Sequence, residues 1–203
     1  MLATLHPGAS FHYETLDGPR YRDLFARRIR PEELSAADLE GVRVLVVPCR
    51  TNPLRVARHW PLFAAFLARG GMLVALGETF QDEWIPGVSF HPVETNFWWW
   101  REPGADLGVS VAAPDSDLLE DIGKKEATWH LHGWYDLPPG ARPLVVDAEN
   151  RAIVYEDRQS FGGRLVVTSL DPCFHHGSHF MPATTAFLDR FLPNLARIAA
   201  SGA

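Results

Sequence analysis

The chemistry-bearing residues of this chain gather in a few short stretches. "TWHLHGWYD" spaces His130 and His132 by two, which on an extended chain puts both rings on one side, as a metal site requires. "TSLDPCFHHGSH" adds Asp171, Cys173, His175, His176 and His179. Five of the nine histidines lie between His130 and His179. With Glu78 or Asp171 as a carboxylate, His130, His132, His175 and His179 form a ligand set suited to zinc or another divalent ion. No known metal signature such as HExxH is matched, so the default for these rings is hydrogen bonding at loop and rim positions, with metal binding as the alternative. In "VVPCRTN", Cys49 precedes Arg50, whose guanidinium favours a thiolate. The commoner place for a free cysteine is a small apolar niche.

Three apolar runs must position these groups. "VRVLVVP", "GMLVALGE" and "GGRLVVTSLDP" are short, aliphatic and closed by Pro or Gly, as strands buried on both faces are. Helical spacing of Leu54, Val56, Trp60, Phe63 and Leu67 separates the first two and makes a βαβ unit. "MPATTAFLDRFLPNLARIAA" predicts a final helix. Ligands of open parallel sheets bind beyond the carboxyl ends of the strands. Those ends deliver Cys49 and Arg50, then Glu78, then Asp171 and the late histidines.

The middle, about residues 81–157, is rich in Pro and Gly and carries short strand-like pieces. It reads as a β-rich insertion in one α/β domain spanning 1–203, with "DSDLLEDIG" as its one helix. Its "NFWWWRE" sets Trp98, Trp99 and Trp100 in a row. On a strand, adjacent side chains face opposite ways, so the three cannot share one core. Packing of the insertion on the main body is one use for these rings. Stacking on the apolar face of a small ligand, with His132, His176, Cys49 and Arg50 nearby, is another.

The net charge of −6 gives no basic face, which argues against nucleic acid as the partner. No apolar run reaches the length of a membrane span, and the N-terminus lacks the pattern of a signal peptide, so a cytoplasmic protein is expected. Two cysteines are too few for a disulfide framework.

"LEGVRVLVVPCRTNP…FLARGGMLVALGET" with "FGGRLVVTSLDP…FLDRFLPNL" resembles the class I glutamine amidotransferase-like superfamily. The nearest branch is the trehalose-utilisation (ThuA-like) one, with the related domains attached to bacterial β-galactosidases. The resemblance covers about residues 35–79 and 162–194. It implies a flavodoxin-like, mostly parallel sheet with helices on both faces. In active members a cysteine nucleophile follows the strand that here reads "MLVALG", and that position holds Glu78. A carboxylate cannot form the thioester that glutamine hydrolysis needs. The resemblance therefore implies a non-amidotransferase that binds a small polar ligand such as a carbohydrate. Two other functions stand beside it. One is a metal- or carboxylate-dependent hydrolase working through Glu78, Asp171 and His175. The other is an interaction protein whose tryptophans meet a second copy of the chain.

Overall fold

The computed structural model describes residues 1–94 and 98–201. Ten strands form one sheet: β1 (Leu2–Leu5), β2 (Arg27–Ile29), β3 (Val44–Val47), β4 (Met72–Ala75), β5 (Phe90–Pro92), β6 (Ser110–Val111), β7 (Gly133–Tyr135), β8 (Arg142–Val146), β9 (Ala152–Asp157) and β10 (Arg164–Thr168). Strands β2, β1, β3, β4 and β10 lie side by side in that order, all parallel. This is the flavodoxin-type order 2-1-3-4-5, with β10 as the fifth strand. The three runs expected at its centre, including "VLVV" and "MLVA", are β3, β4 and β10 of one sheet.

Alternation along these strands builds two cores. Val44, Val46, Val74 and Val166 face one way, toward Phe187, Leu188, Phe191 and Leu195 of helix α6 (Pro182–Ala200). Leu45, Val47, Leu73 and Val167 face the other, toward Phe63, Phe66 and Leu67 of α3 (Trp60–Ala68). Runs this apolar are required because helices cover both faces. The remaining helices are short: α1 (Ser10–His12), α2 (Pro53–Ala57), α4 (Lys124–Ala127) and α5 (Pro172–Gly177). The helical stretch between β3 and β4 is broken at Arg58 and His59, just before Pro61.

The segment 81–157 extends the same sheet. Its strands β5 to β9 pair only in antiparallel fashion, with β9 joined to β10. Two local expectations need correction. "DSDLLEDIG" is a chain of turns and no helix, because the carbonyls of Leu118 and Glu120 accept from Asn194 Nδ2 and Asp121 takes a left-handed φ of 58°. The stretch "RPEELSAADLEG", whose pattern also suggests a short amphipathic helix ended by Gly41, forms only a single 3-10 turn, Ala37–Leu39. Among the described residues, no helix is long and apolar enough to cross a membrane.

Candidate metal centre

Each of three adjacent parallel strands ends in a tight turn that presents one functional side chain. Past β3, Arg50 has φ 58° and its N–H donates to Gly77 O at 3.1 Å. Past β4, Glu78 also has φ 58°, a strained conformation for a residue with a side chain. The preceding Gly77 permits this, since a Cβ there would stand 2.4 Å from Ser169 O at the end of β10. Past β10, Asp171 is the N-cap of α5, with Pro172 at the first helical position. Its carboxylate makes no capping bond and turns to the histidines instead.

Four atoms converge there. Asp171 Oδ1 lies 3.2 Å from His130 Nε2, 3.2 Å from His132 Nε2 and 3.0 Å from His175 Nε2. His130 Nε2 is 3.1 Å from His132 Nε2 and 2.9 Å from His175 Nε2. Protons cannot satisfy such a cluster. An imidazole nitrogen has one in-plane direction, as lone pair or as N–H, and His130 Nε2 faces three neighbours. Asp171 Oδ1 is buried and faces all three imidazole nitrogens at once. A cation among the four atoms satisfies them all. Ligands about 2.0–2.1 Å from a zinc ion stand about 3.3–3.4 Å from one another. The spacings given above are close to this, and the four atoms all lie within 4.8 Å of one another.

The surroundings match a ligand set as well. The other oxygen of Asp171, Oδ2, accepts from Arg50 Nε at 2.9 Å, and the Arg50 guanidinium stacks 3.7 Å from the centre of the Phe174 ring. His132 Nδ1 lies 3.1 Å from Glu78 Oε1; a proton on Nδ1 shared with that carboxylate would leave Nε2 the lone pair that binds metal. Burial lowers the His130 pKa, against the pull of Asp171, and favours its neutral form. Burial pushes the Asp171 carboxyl up, but the three imidazoles outweigh it and hold the group well below the usual carboxylate range.

The other expected site residues are distributed as follows. His176 Nδ1 bonds Thr185 Oγ1 at 2.8 Å, away from the cluster. His179 is exposed, with Nε2 3.8 Å from Glu14, and does not join the ligands. An i, i+4 spacing across one helical turn brings His175 back over Asp171 and leaves His176 on another face. Cys49 is fully buried rather than at a pocket wall. Its Sγ accepts from Phe174 N at 3.3 Å, and burial next to Cys173 pushes its pKa well up. The Cys49 thiol is therefore not an activated nucleophile, and Cys173 is buried beside it. The tryptophan triplet is not a strand: Trp99–Arg101 is a 3-10 turn, which removes the simple two-faced alternation. Trp98 is exposed, and Trp99 Nε1 donates to Trp129 O at 2.6 Å. Asn96 and Phe97 lie outside the described residues, as does the side chain of Trp100.

Beside the cluster opens a pocket of about 730 Å³, reached past His175 and Arg50. Trp98, Trp99, Trp129, Phe174, Phe180 and Met181 form much of its wall. The first two of these stood out in the sequence. Phe180 and Met181 gave no signal, because they sit in an irregular link with φ 64° at Met181 before α6.

The structure is similar to that of a protein described as a GMP synthase component from Thermoplasma acidophilum, with a TM-score of 0.57 and 13% identity over 98% of this chain and 94% of that one. The chain has the glutamine amidotransferase-like fold. A ThuA-like protein from Bacteroides uniformis shares that fold at a TM-score of 0.50 and 13% identity, covering 98% and 88% of the two chains. A β-galactosidase from Rahnella sp. R3 contains it too, at 0.55 and 16%, over 97% of this chain and 31% of that one. No family model and no curated protein matches the sequence. In this amidotransferase-like fold, the turn past β4 carries Glu78 where the resemblance placed a nucleophile.

Glutamine should therefore release no ammonia above background, and Cys49→Ala and Cys173→Ala should not change that. Glutaminase activity lost on either substitution would show a working nucleophile there. A second expectation concerns pH. His12, buried beneath the turn past β3, bonds Cys49 O through Nε2 at 2.9 Å. Burial lowers its pKa to about 4. The unfolded chain binds a proton near pH 6.5, which the folded chain refuses until about pH 4. Stability should therefore fall by about 3 kcal/mol as pH drops from 7 to 4 through this group alone. His12→Asn keeps a donor for Cys49 O and should flatten that part of the slope in urea titrations. An unchanged slope would contradict the assignment.

Proposed function

We propose that this chain is a metal-dependent hydrolase built on the amidotransferase-like fold, with no amidotransferase chemistry. The reading rests on one observation: three imidazole nitrogens and a buried carboxylate oxygen converge beside an open pocket. His130, His132, Asp171 and His175 are the ligands, and zinc is the first candidate ion. Such an ion supplies Lewis acidity toward a carbonyl or phosphoryl oxygen and toward water. Four protein ligands would fill a tetrahedron, so turnover would need a fifth position, and the pocket bordered by His175 is the side from which a substrate would approach. Glu78 is a positioning residue that fixes the tautomer of His132. Arg50 holds the carboxylate of Asp171 in orientation through Oδ2. In the hydrolysis, the hydroxyl of water adds to the attacked carbon or phosphorus, the bond from that atom to the leaving group breaks, and the remaining proton goes to the leaving group.

A carbohydrate ligand is the second reading. It is favoured by the exposed Trp98 ring, with Arg101 over it at 5.7 Å, at the rim of the pocket. The test is elemental analysis of untagged protein, followed by a panel of ester, amide and phosphoester substrates. The expected outcome is about one divalent ion per chain and a hydrolysis that chelator abolishes and metal restores. Sub-stoichiometric metal throughout would remove the proposal. Full metal content without hydrolysis, together with tryptophan fluorescence changes on adding sugars, would favour the second reading.

A further inference from the structure

We infer that the pocket beside the centre takes a small molecule with an aromatic or branched aliphatic body and a single polar head, the head directed at the metal. This names the ligand class of the site proposed above and rests on that reading. The polar groups of the wall are few and most are engaged; among the described residues Trp129 Nε1 and His175 Nδ1 are the buried ring nitrogens of the wall without a hydrogen-bond partner, and neither is open to the pocket. Among the described lining residues, the polar side chains other than tryptophan are Arg50, Thr128 and His175, and each is engaged through at least one atom. Arg50 is bonded to Asp171 and stacked on Phe174. Thr128 Oγ1 donates to Lys124 O at 2.6 Å. His175 Nε2 belongs to the four-atom cluster. The Trp99 N–H is spent on Trp129 O.

The wall therefore offers rings and methyl groups but few free donors or acceptors. A sugar buried here would leave several hydroxyls unpaired, each costing roughly tenfold in affinity. An aromatic ring loses nothing and gains from every wall it touches. The volume, about 730 Å³, is in the usual range for a ligand of drug-like size. The polar end is fixed by geometry, since Arg50 and His175 are shared between pocket and cluster.

The test uses zinc-loaded full-length chain and three hydroxamates that share one metal-binding head: acetohydroxamate, benzohydroxamate and gluconohydroxamate. Calorimetric titration should find benzohydroxamate about thirtyfold tighter than acetohydroxamate, from burial of the ring. Gluconohydroxamate should be no tighter than acetohydroxamate. Ala183→Phe, at the pocket wall, should erase the preference for the ring while leaving metal content and acetohydroxamate binding intact. Equal affinities, tightest binding of the sugar hydroxamate, or no binding by a chain that holds one equivalent of zinc would each overturn the inference. Failure to hold zinc at all would instead sink the metal reading. The pocket is then decided by fluorescence with non-chelating 2-naphthamide and methyl glucoside. Binding of the naphthamide alone sustains an aromatic ligand, and any other result ends it.

Discussion

Asp171→Asn should weaken metal binding by about a thousandfold, more than the ten- to hundredfold typical of an outer-shell change. The carboxylate does two jobs at once. Oδ1 faces three imidazole nitrogens, while Oδ2 holds Arg50 at 2.9 Å. An amide can do only one. If its oxygen faces Arg50, an N–H₂ group points at the ion. If its oxygen faces the ion, N–H₂ points at a guanidinium. The negative charge that offsets the cation is lost in both orientations. The fold should also suffer. Breaking a buried ion pair costs about 3–5 kcal/mol, but Arg50 is about a third exposed, so about 2 kcal/mol is expected here. Competition against a chromogenic chelator reads the affinity, and urea titration of the metal-free forms reads the stability. Affinity within a few-fold of wild type would mean that Asp171 is no ligand.

Stripping the ion should lower the melting temperature by roughly 8–16 °C. A ligand at a thousand times its Kd stabilises the folded state by about 4 kcal/mol, and 1 kcal/mol moves a chain of this size by about 2–4 °C. The centre ties together the ends of β3 and β10, the start of α5 and the segment before β7. Its loss should therefore be felt across the main body and the extension alike. Scanning calorimetry with zinc and with chelator measures the shift. Asp171→Asn should show almost none, which separates the centre from adventitious surface binding. A wild-type melting point indifferent to chelator would contradict a preformed site.

The part of this arrangement that follows from local rules was legible in the sequence. Buried strands announce themselves as aliphatic runs, and side chains just past their carboxyl ends are the natural site residues. Arg50, Glu78 and Asp171 could thus be placed together from the sequence. The spacing of His130 and His132 likewise gave their shared direction, although they precede β7 rather than lie on a strand. Helical phase was the harder step. "DPCFHH" holds two adjacent histidines, and only the i, i+4 relation to Asp171 separates His175, which joins the four-atom cluster, from His176, which bonds Thr185. Reading Pro172 as a helix start would have made that distinction. The apparent helix at "DSDLLEDIG" failed for a tertiary reason, since Asn194 of α6 takes its carbonyls and Arg164 binds Asp117. The tryptophan triplet failed because its turn is fixed by a bond from Trp99 to Trp129, thirty residues away, which no local pattern encodes.

The central claim is that one ion sits among His130, His132, Asp171 and His175. Crystals of zinc-loaded protein, measured on both sides of the zinc absorption edge, test it most directly. The predicted result is one strong anomalous peak per chain, about 2.0–2.1 Å from the three Nε2 atoms and Asp171 Oδ1. A map with no peak there, or with zinc only at surface residues such as His91 or His179, would contradict it.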